Sequence, residues 1–348
     1  MKFGVIGHGF MGSRHVAIID SFEECECIAA CDTDPFRLKG LDKKIICYED
    51  IDLFLENPSI DVVVIATPNK WHKEHALKAI NAGKHVICEK PIALSVDELD
   101  EMKEAADRMN VTLTSHHQRR LDQDFQAIKE AYEREMLGNV YLIKSVLYGY
   151  NGYTHSWHVY KSEGGGMLYN WGVHLIDQIL YMVSSPLKTV YADIRNIINI
   201  EVDDYFKIIL KFENMVTAEI ELGTYMLSDK EGWFPRHWYM FGNKGSMYID
   251  GFIPEGRILR TTQLLAETLD EEGRYCGPTR SFGIPEKGVV YTQAIPYVKT
   301  ETREFYANYI RAIQGKEPFL VKLPELRYVL KVMDAAIKSS ESMSSVAF

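Results

Sequence analysis

The chain opens on a short apolar run, Phe3 to Ile6, and a glycine turn, after which apolar residues recur at Val16, Ile19 and Phe22. Spacing of that kind marks one face of a helix, so the first residues predict strand, turn and helix. "CECIAACD" at 25–32 predicts a second strand. "DVVVIAT" at 61–67 is apolar on both faces, as a parallel strand sandwiched between helices should be. "WHKEHALKAINAG" follows as a helix with Ala76, Leu77 and Ile80 on one side and Gly83 at its end. "HVICEK" is the next strand. Ser95 and Glu98 then form a capping-box signature ahead of an apolar stripe at Leu99, Met102, Ala106 and Met109. Strand alternating with helix predicts a doubly wound parallel sheet, with ligands held beyond the carboxyl ends of its strands.

After the strand "VTLTSHH" the pattern changes, which puts a boundary near 118 and divides the chain into 1–118 and 119–348. A helix beginning at Asp122 carries Phe125, Ile128 and Tyr132 in register and ends near Gly138. The strand "VYLIKSVLYGY" leads into an aromatic and polar loop, "NGYTHSWHVYKSEGGG", and then "MLYNWGVHLIDQ" repeats as a helix. From about 187 to 262, alternating stretches separated by turn residues (Glu213-Asn214 and Asn243-Lys244-Gly245) predict antiparallel sheet. Residues 262–300 form a mixed connection without clear period. Two more helices follow, one closed by Gly315 and one starting at Pro324.

Composition bounds the partners. The chain has 348 residues, 46% hydrophobic and 25% charged, enough for two domains with a sizeable core. A formal net charge of -10 without any basic run argues against nucleic acid and against an anionic membrane surface. There is no signal-peptide pattern at the start and no apolar run of about 18 residues, so a cytoplasmic protein is expected. Of the six cysteines, Cys25, Cys27, Cys31, Cys47 and Cys88 lie in or beside strand-like stretches and are expected as reduced, buried side chains. "CECIAAC" lacks zinc-finger spacing, and no metal site is expected.

Candidate chemistry gathers at the predicted strand ends. "GHGFMG" is Gly-x-Gly-x-x-Gly between strand and helix: Gly7 for the turn, Gly9 for close approach of a pyrophosphate, Gly12 for helix packing, with Phe10 and Met11 between them. Asp32 ends the second strand, where a carboxylate accepts hydrogen bonds from ribose hydroxyls and repels a 2′-phosphate; NAD is therefore favoured over NADP, although Arg37 lies nearby. Two further strand ends lie where a nicotinamide would emerge. "ATPNKWH" offers Thr67, Asn69 and His72, and "EKP" offers Glu89 and Lys90. A partly desolvated lysine beside a cationic ring has its charged form disfavoured, which suits proton transfer with an alcohol. A surface lysine before a proline turn would have the same sequence. In the second domain, Asn170 and His174 stand four apart on one helical face. Tyr153, His155, Trp157 and His158 form an aromatic and polar group that could stack on the C–H face of a ligand and hydrogen-bond its polar groups, with Lys161 beside them. Trp233 and Phe234 would suit either the site or a subunit interface.

"GHGFMG", "CDTD", "ATPNKWH", "AGKHVICEKPIALS" and "GGGMLYNWGVHLIDQ" occur in the order seen in the Gfo/Idh/MocA oxidoreductases, and over 1–185 the chain closely resembles that family. The resemblance implies an α/β protein: an N-terminal Rossmann domain and a C-terminal α/β domain on an open, mainly antiparallel sheet. That sheet is often used for oligomerisation, so a homodimer or homotetramer is expected. It further implies oxidation of a sugar, inositol or other polyol hydroxyl by NAD(P). Lys90 matches the family's catalytic lysine, His174 its substrate-binding and proton-transfer histidine, and Asp177 the acidic residue one turn on. Gln118 and Arg119 match the pair bordering the substrate pocket. Asn170 departs from the usual aspartate. An amide donates and accepts hydrogen bonds but brings no charge, so a facing lysine or histidinium would have its pKa lowered. The outcome is either a readier neutral Lys90 or altered chemistry. Two other readings stand beside the NAD-dependent dehydrogenase. One is a glycosidase or lyase that recycles NAD through transient oxidation; the other is a non-catalytic NAD sensor, which would have no use for Lys90 and His174.

Overall fold

The computed structural model describes residues 1–150, 156–226, 236–262 and 287–348. Strands β1 (Lys2–Ile6), β2 (Glu26–Cys31), β3 (Ile46–Tyr48), β4 (Val62–Ile65), β5 (His85–Cys88) and β6 (Leu113–Ser115) form one parallel sheet in the order 3-2-1-4-5-6. Helices α1 (Phe10–Ile19), α2 (Ile51–Leu55), α3 (His72–Asn81) and α4 (Val96–Met109) connect them. All four residues of β4 are fully buried, which is why its sequence is apolar without alternation.

Register determines where the chemistry falls. Ile6 pairs with both Cys31 and Ile65, Ile65 with Cys88, and Cys88 with Ser115, so five strands end level. The residues just beyond those ends therefore lie along one edge: Gly7, Asp32, Thr67, Glu89 with Lys90, and His116 with His117. The chain order reverses between β1 and β4, which opens the crevice where such sheets bind ligands.

The second sheet is built from β7 (Val140–Tyr148), β8 (Leu187–Arg195), β9 (Tyr205–Phe212), β10 (Thr217–Gly223), β11 (Arg236–Gly242), β12 (Gly245–Asp250), β13 (Glu255–Thr261), β14 (Val290–Gln293) and β15 (Val346–Ala347). Its order is 14-13-12-11-7-10-9-8-15, and every pairing is antiparallel except β7 with β10. The expected open, mainly antiparallel sheet is thus observed. Period-two alternation gives it one buried face: Phe206, Ile208 and Leu210 on β9, Ala218, Ile220 and Leu222 on β10, Trp238 and Met240 on β11. Helices α5 (Gln123–Glu133), α6 (Val173–Met182) and α8 (Leu323–Ser342) belong to this half, with α6 and α8 packed against each other. Helix α7 (Glu304–Ile313) returns to the first sheet, where Tyr306 and Tyr309 pack on Phe3 at centroid distances of 6.1 and 6.4 Å. Among the described residues no helix is long and apolar enough to cross a membrane.

Local readings need three corrections. Cys47 is exposed and Cys25 half-buried, because β3 is a short edge strand and Cys25 precedes β2. Met109, placed on the apolar stripe of α4, is 41% exposed as the last residue of that helix. Ser95 does cap α4, accepting the Glu98 N–H at 3.2 Å, but the Glu98 carboxylate accepts from Leu94 rather than from Ser95. Strand β3 and helix α2 were not legible, being three and five residues long without a usable period.

The halves meet at the three consecutive glycines. Gly164 has φ +74°, and a Cβ on it would lie 2.7 Å from Leu94 and 2.9 Å from Asn69, both in the first domain. Its carbonyl accepts a hydrogen bond from Asn69 Nδ2 at 2.8 Å. Gly164→Ala combines a left-handed backbone with a clash across this seam. It is expected to cost about 1–3 kcal/mol, read as a fall in the urea midpoint at unchanged m-value. An unchanged midpoint would mean the seam yields freely.

Candidate active site

The dinucleotide end is shaped by contact. A Cβ on Gly12 would run into the Gly7 carbonyl oxygen, so α1 can press against the turn only with glycine there. Gly9 caps α1 without a side-chain bond, and no acidic residue occupies the first turn, leaving its amides open to an anion. Asp32 is 8% exposed. Its carboxylate accepts the His8 N–H at 2.8 Å and the Asp34 N–H at 2.9 Å, so it also fastens the glycine turn to β2. Arg37 Nη1 lies 3.7 Å from the same carboxylate. Phe10 stands exposed at the rim with Arg14 over its ring, and Met11 is half-buried behind it. A close-packed turn, a free helix N-terminus and a strand-end carboxylate fit the pyrophosphate and ribose of NAD.

The residues of "ATPNKWH" act mainly as struts. His72 is enclosed, its ring nitrogens 2.7 Å from the Pro91 carbonyl oxygen and 2.9 Å from that of Thr67, so it ties two strand ends together. Thr67 Oγ1 lies 3.2 Å from His75 Nδ1, and Asn69 spans the domain seam.

Across that seam, Lys90 meets Asn170. Lys90 Nζ donates to the Asn170 main-chain carbonyl at 2.8 Å and to its Oδ1 at 3.0 Å. The helix expected over "MLYNWGVHLIDQ" begins instead as a π-turn, Leu168–Gly172, before α6 continues it. Such wide turns concentrate at functional sites. Asp203 anchors this one, accepting the Leu168 N–H at 2.8 Å; burial pushes its carboxyl up to about 7. Burial pulls the Lys90 pKa down to about 8, against the attraction of Glu89 and with the help of Arg119. His174 is 3% exposed and its Nδ1 has no hydrogen-bond partner. Burial first, then the cations Lys90 and Arg119, hold its pKa well below the usual histidine value.

Arg119 lies beside them, its guanidinium 4.0 Å from the Trp171 ring centroid and bonded to Asp122 at 2.8 Å. Burial raises the Asp122 carboxyl to about 6 despite that pairing. Gln118 precedes it in the same tight turn, with a buried Oε1 that has no partner. Asp177, by contrast, stands behind the site. It is buried and takes two hydrogen bonds from Arg120, at 2.8 and 2.6 Å, with His117 Nδ1 a looser 3.4 Å away. Arg120 reaches on to Glu325 at 2.6 Å. Trp157 stacks on His158 at 3.7 Å, and the carbonyls of His158 and Tyr160 accept from Gly166 and Gly165 respectively. Tyr153, His155, Trp233 and Phe234 lie outside the described residues.

Beneath Lys90 is a group the sequence reading missed apart from Glu89. His15, Glu89 and His116 bring one ligand atom each within 4.8 Å of one another. Their N···O separations of 2.8 and 2.9 Å are hydrogen-bond lengths, so shared protons account for the arrangement. Tyr306 Oη lies 2.7 Å from His15 Nδ1. No local pattern marks these residues, because α1, β5, β6 and α7 meet only in the fold. Arg120 is adjacent to Arg119 in the sequence, and only burial separates their roles.

Asp177→Leu would leave Arg120 buried with its bidentate partner gone, which is expected to cost about 3–5 kcal/mol in urea unfolding. A loss below about 1 kcal/mol would show that Glu325 alone satisfies the guanidinium.

The likeness to known proteins agrees with this geometry. Residues 1–117 match the oxidoreductase family with an NAD-binding Rossmann fold, and residues 125–248 match the GFO/IDH/MocA C-terminal domain. An uncharacterised oxidoreductase of Schizosaccharomyces pombe is 30% identical over 87% of this chain and 85% of its own length. A scyllo-inositol 2-dehydrogenase (NADP(+)) of Bacillus subtilis is 28% identical over 99% of this chain and 95% of its own. The crystal structure of an NAD-binding protein from Listeria innocua superposes with TM-score 0.88 at 32% identity, covering 99% of this chain and 96% of that one. With a glycine cradle, a reversed parallel sheet and both family domains in sequence, the chain belongs to the Gfo/Idh/MocA family of NAD-binding oxidoreductases.

Proposed function

We propose that this is a cytoplasmic, NAD-dependent dehydrogenase of a ring polyol or sugar, with Lys90 as the base. The observation that carries this reading is the pair of bonds from Lys90 Nζ to Asn170, at 2.8 and 3.0 Å. A neutral amine has two N–H donors and one lone pair. With both donors spent on Asn170, the lone pair points elsewhere, available to a substrate hydroxyl, and a pKa near 8 makes that form accessible. Bound NAD supplies the hydride acceptor. Lys90 takes the hydroxyl proton as the carbinol carbon gives up its hydrogen with the electron pair, leaving a carbonyl. His174, kept neutral by burial, can accept a hydrogen bond from a substrate hydroxyl without adding charge. Gln118 and Arg119 are proposed to hold the remaining hydroxyls, Asp177 to hold Arg120 and His117 in place behind them, and Trp157 to line the pocket. The Bacillus relative's name supports the substrate class.

Asp32 supports NAD over NADP, and the nearby cation of Arg37 would soften the preference. We further propose that the chain works as a homodimer or homotetramer through the open face of its second sheet. There Tyr248 packs against both Tyr239 and Phe241, and Lys144 and Lys207 pair with Glu219.

The test is NADH formation with purified protein, NAD or NADP, and a panel of inositols, hexoses and simple glycosides. Steady NADH formation is expected with one polyol class, rising with pH through about 8 as Lys90 loses its proton. Lys90→Met is expected to lower turnover by about 10²–10⁴-fold while leaving NAD binding, followed by fluorescence, unchanged. Glycoside consumption without NADH would instead establish the NAD-recycling reaction, and binding of NAD with nothing consumed would favour the sensor.

A further inference from the structure

Burial and nearby charge together set the proton affinity of a lysine, and residue 170 is an amide. Among the described residues, Asn170 from the π-turn bonds Lys90, and the groups that act on it through their charge are Arg119 from the turn after β6, His174 from α6, His72 from α3, and Glu89 from its own strand end. Glu89 is the one anion among them. It is 5% exposed, and three donors from three elements hold it. Its Oε1 lies 2.8 Å from His15 Nε2 on α1 and 2.9 Å from His116 Nδ1 beyond β6, and its Oε2 accepts the Lys90 main-chain N–H at 3.1 Å. Tyr306 and Cys88 are the other titratable neighbours, and neither brings a positive charge.

We propose that Glu89 is a positioning residue for Lys90: locked as a carboxylate by His15, His116 and the lysine's own amide, it supplies the counter-charge that an acidic residue 170 would otherwise provide. The proposal rests on the reading of Lys90 as the proton-transfer group, and its geometry is independent of the substrate. The two histidines favour the ionised carboxylate and hold it well below the usual range, although burial acts the other way. An ionised Glu89 limits how far burial can depress Lys90; Asn170 fixes where the amine points.

The experiment measures Lys90 basicity without turnover. Lys90 is acetylated with limiting acetic anhydride from about pH 6 to about pH 10, and the Lys90 peptide is quantified by mass spectrometry in wild type, Glu89→Gln, Asn170→Asp and the double variant. Glu89→Gln is expected to move the labelling midpoint down by about one pH unit, Asn170→Asp to move it up, and the double variant to return it towards wild type. A merely structural Glu89 would not be compensated by a charge at 170, so a double variant that behaves like Glu89→Gln overturns the proposal. So does a Glu89→Gln midpoint equal to wild type. If Glu89→Gln does not fold, His116→Asn removes one donor and is expected to shift the midpoint the same way by less; no shift overturns the proposal. Shifted labelling in a protein that oxidises nothing would leave this inference standing and remove the dehydrogenase reading, whereas turnover with unshifted labelling would do the reverse.

Discussion

The structure depends on one contact between residues eighty positions apart, the hydrogen bonds from Lys90 to Asn170. It joins the two domains at the point where a cofactor on the first would meet a substrate held by the second. Other features place its two ends. Level strand ends bring Lys90 to the crevice, and the three glycines allow the second domain to approach. The π-turn presents both oxygens of Asn170 to a single nitrogen. Behind the second partner, the Arg120–Asp177 pair gives α6 a rigid polar backing.

Charge decides what such a contact can do. Two unit charges about 4 Å apart interact by about 4 kcal/mol at an effective dielectric of about 20, equivalent to about 3 pKa units. An aspartate at 170 would therefore hold Lys90 protonated through the whole working range and pass the proton question to another group. The amide holds the nitrogen in place without holding its proton. Burial then lowers the lysine to about 8, near enough to neutrality for either form to be populated.

Much of this was legible in the chain. Gly7 and Gly12 are demanded by close packing, and Asp32, Lys90, Asn170 and His174 sit at strand ends or along one helical stretch whose period the chain shows. Burial was harder to read. Asp177 has the spacing of a pocket residue, yet its carboxylate is consumed by Arg120, and His72 is spent on two carbonyls rather than turned towards a cofactor. The His15–Glu89–His116–Tyr306 group was invisible because its members come from four elements separated by as many as 291 positions. The π-turn was invisible for a different reason: side chains four apart share a face in either kind of turn, so the apolar pattern does not distinguish them.

Position and charge are thus divided between the domains. Glu89 and Lys90 are consecutive on the first, so the lysine keeps its counter-charge however the domains move. Asn170 is on the second, so the direction of the amine is fixed only when the seam at Gly164 is closed. A protein with aspartate at 170 has both tasks on one side chain, and opening the seam would change its lysine's proton affinity as well as its aim. Here the two are separable. On the proposed reading of Lys90 as the base, a closed seam would select a geometry for an amine whose protonation is already set, and the loss of one carboxylate becomes a redistribution of work between two residues that were already present.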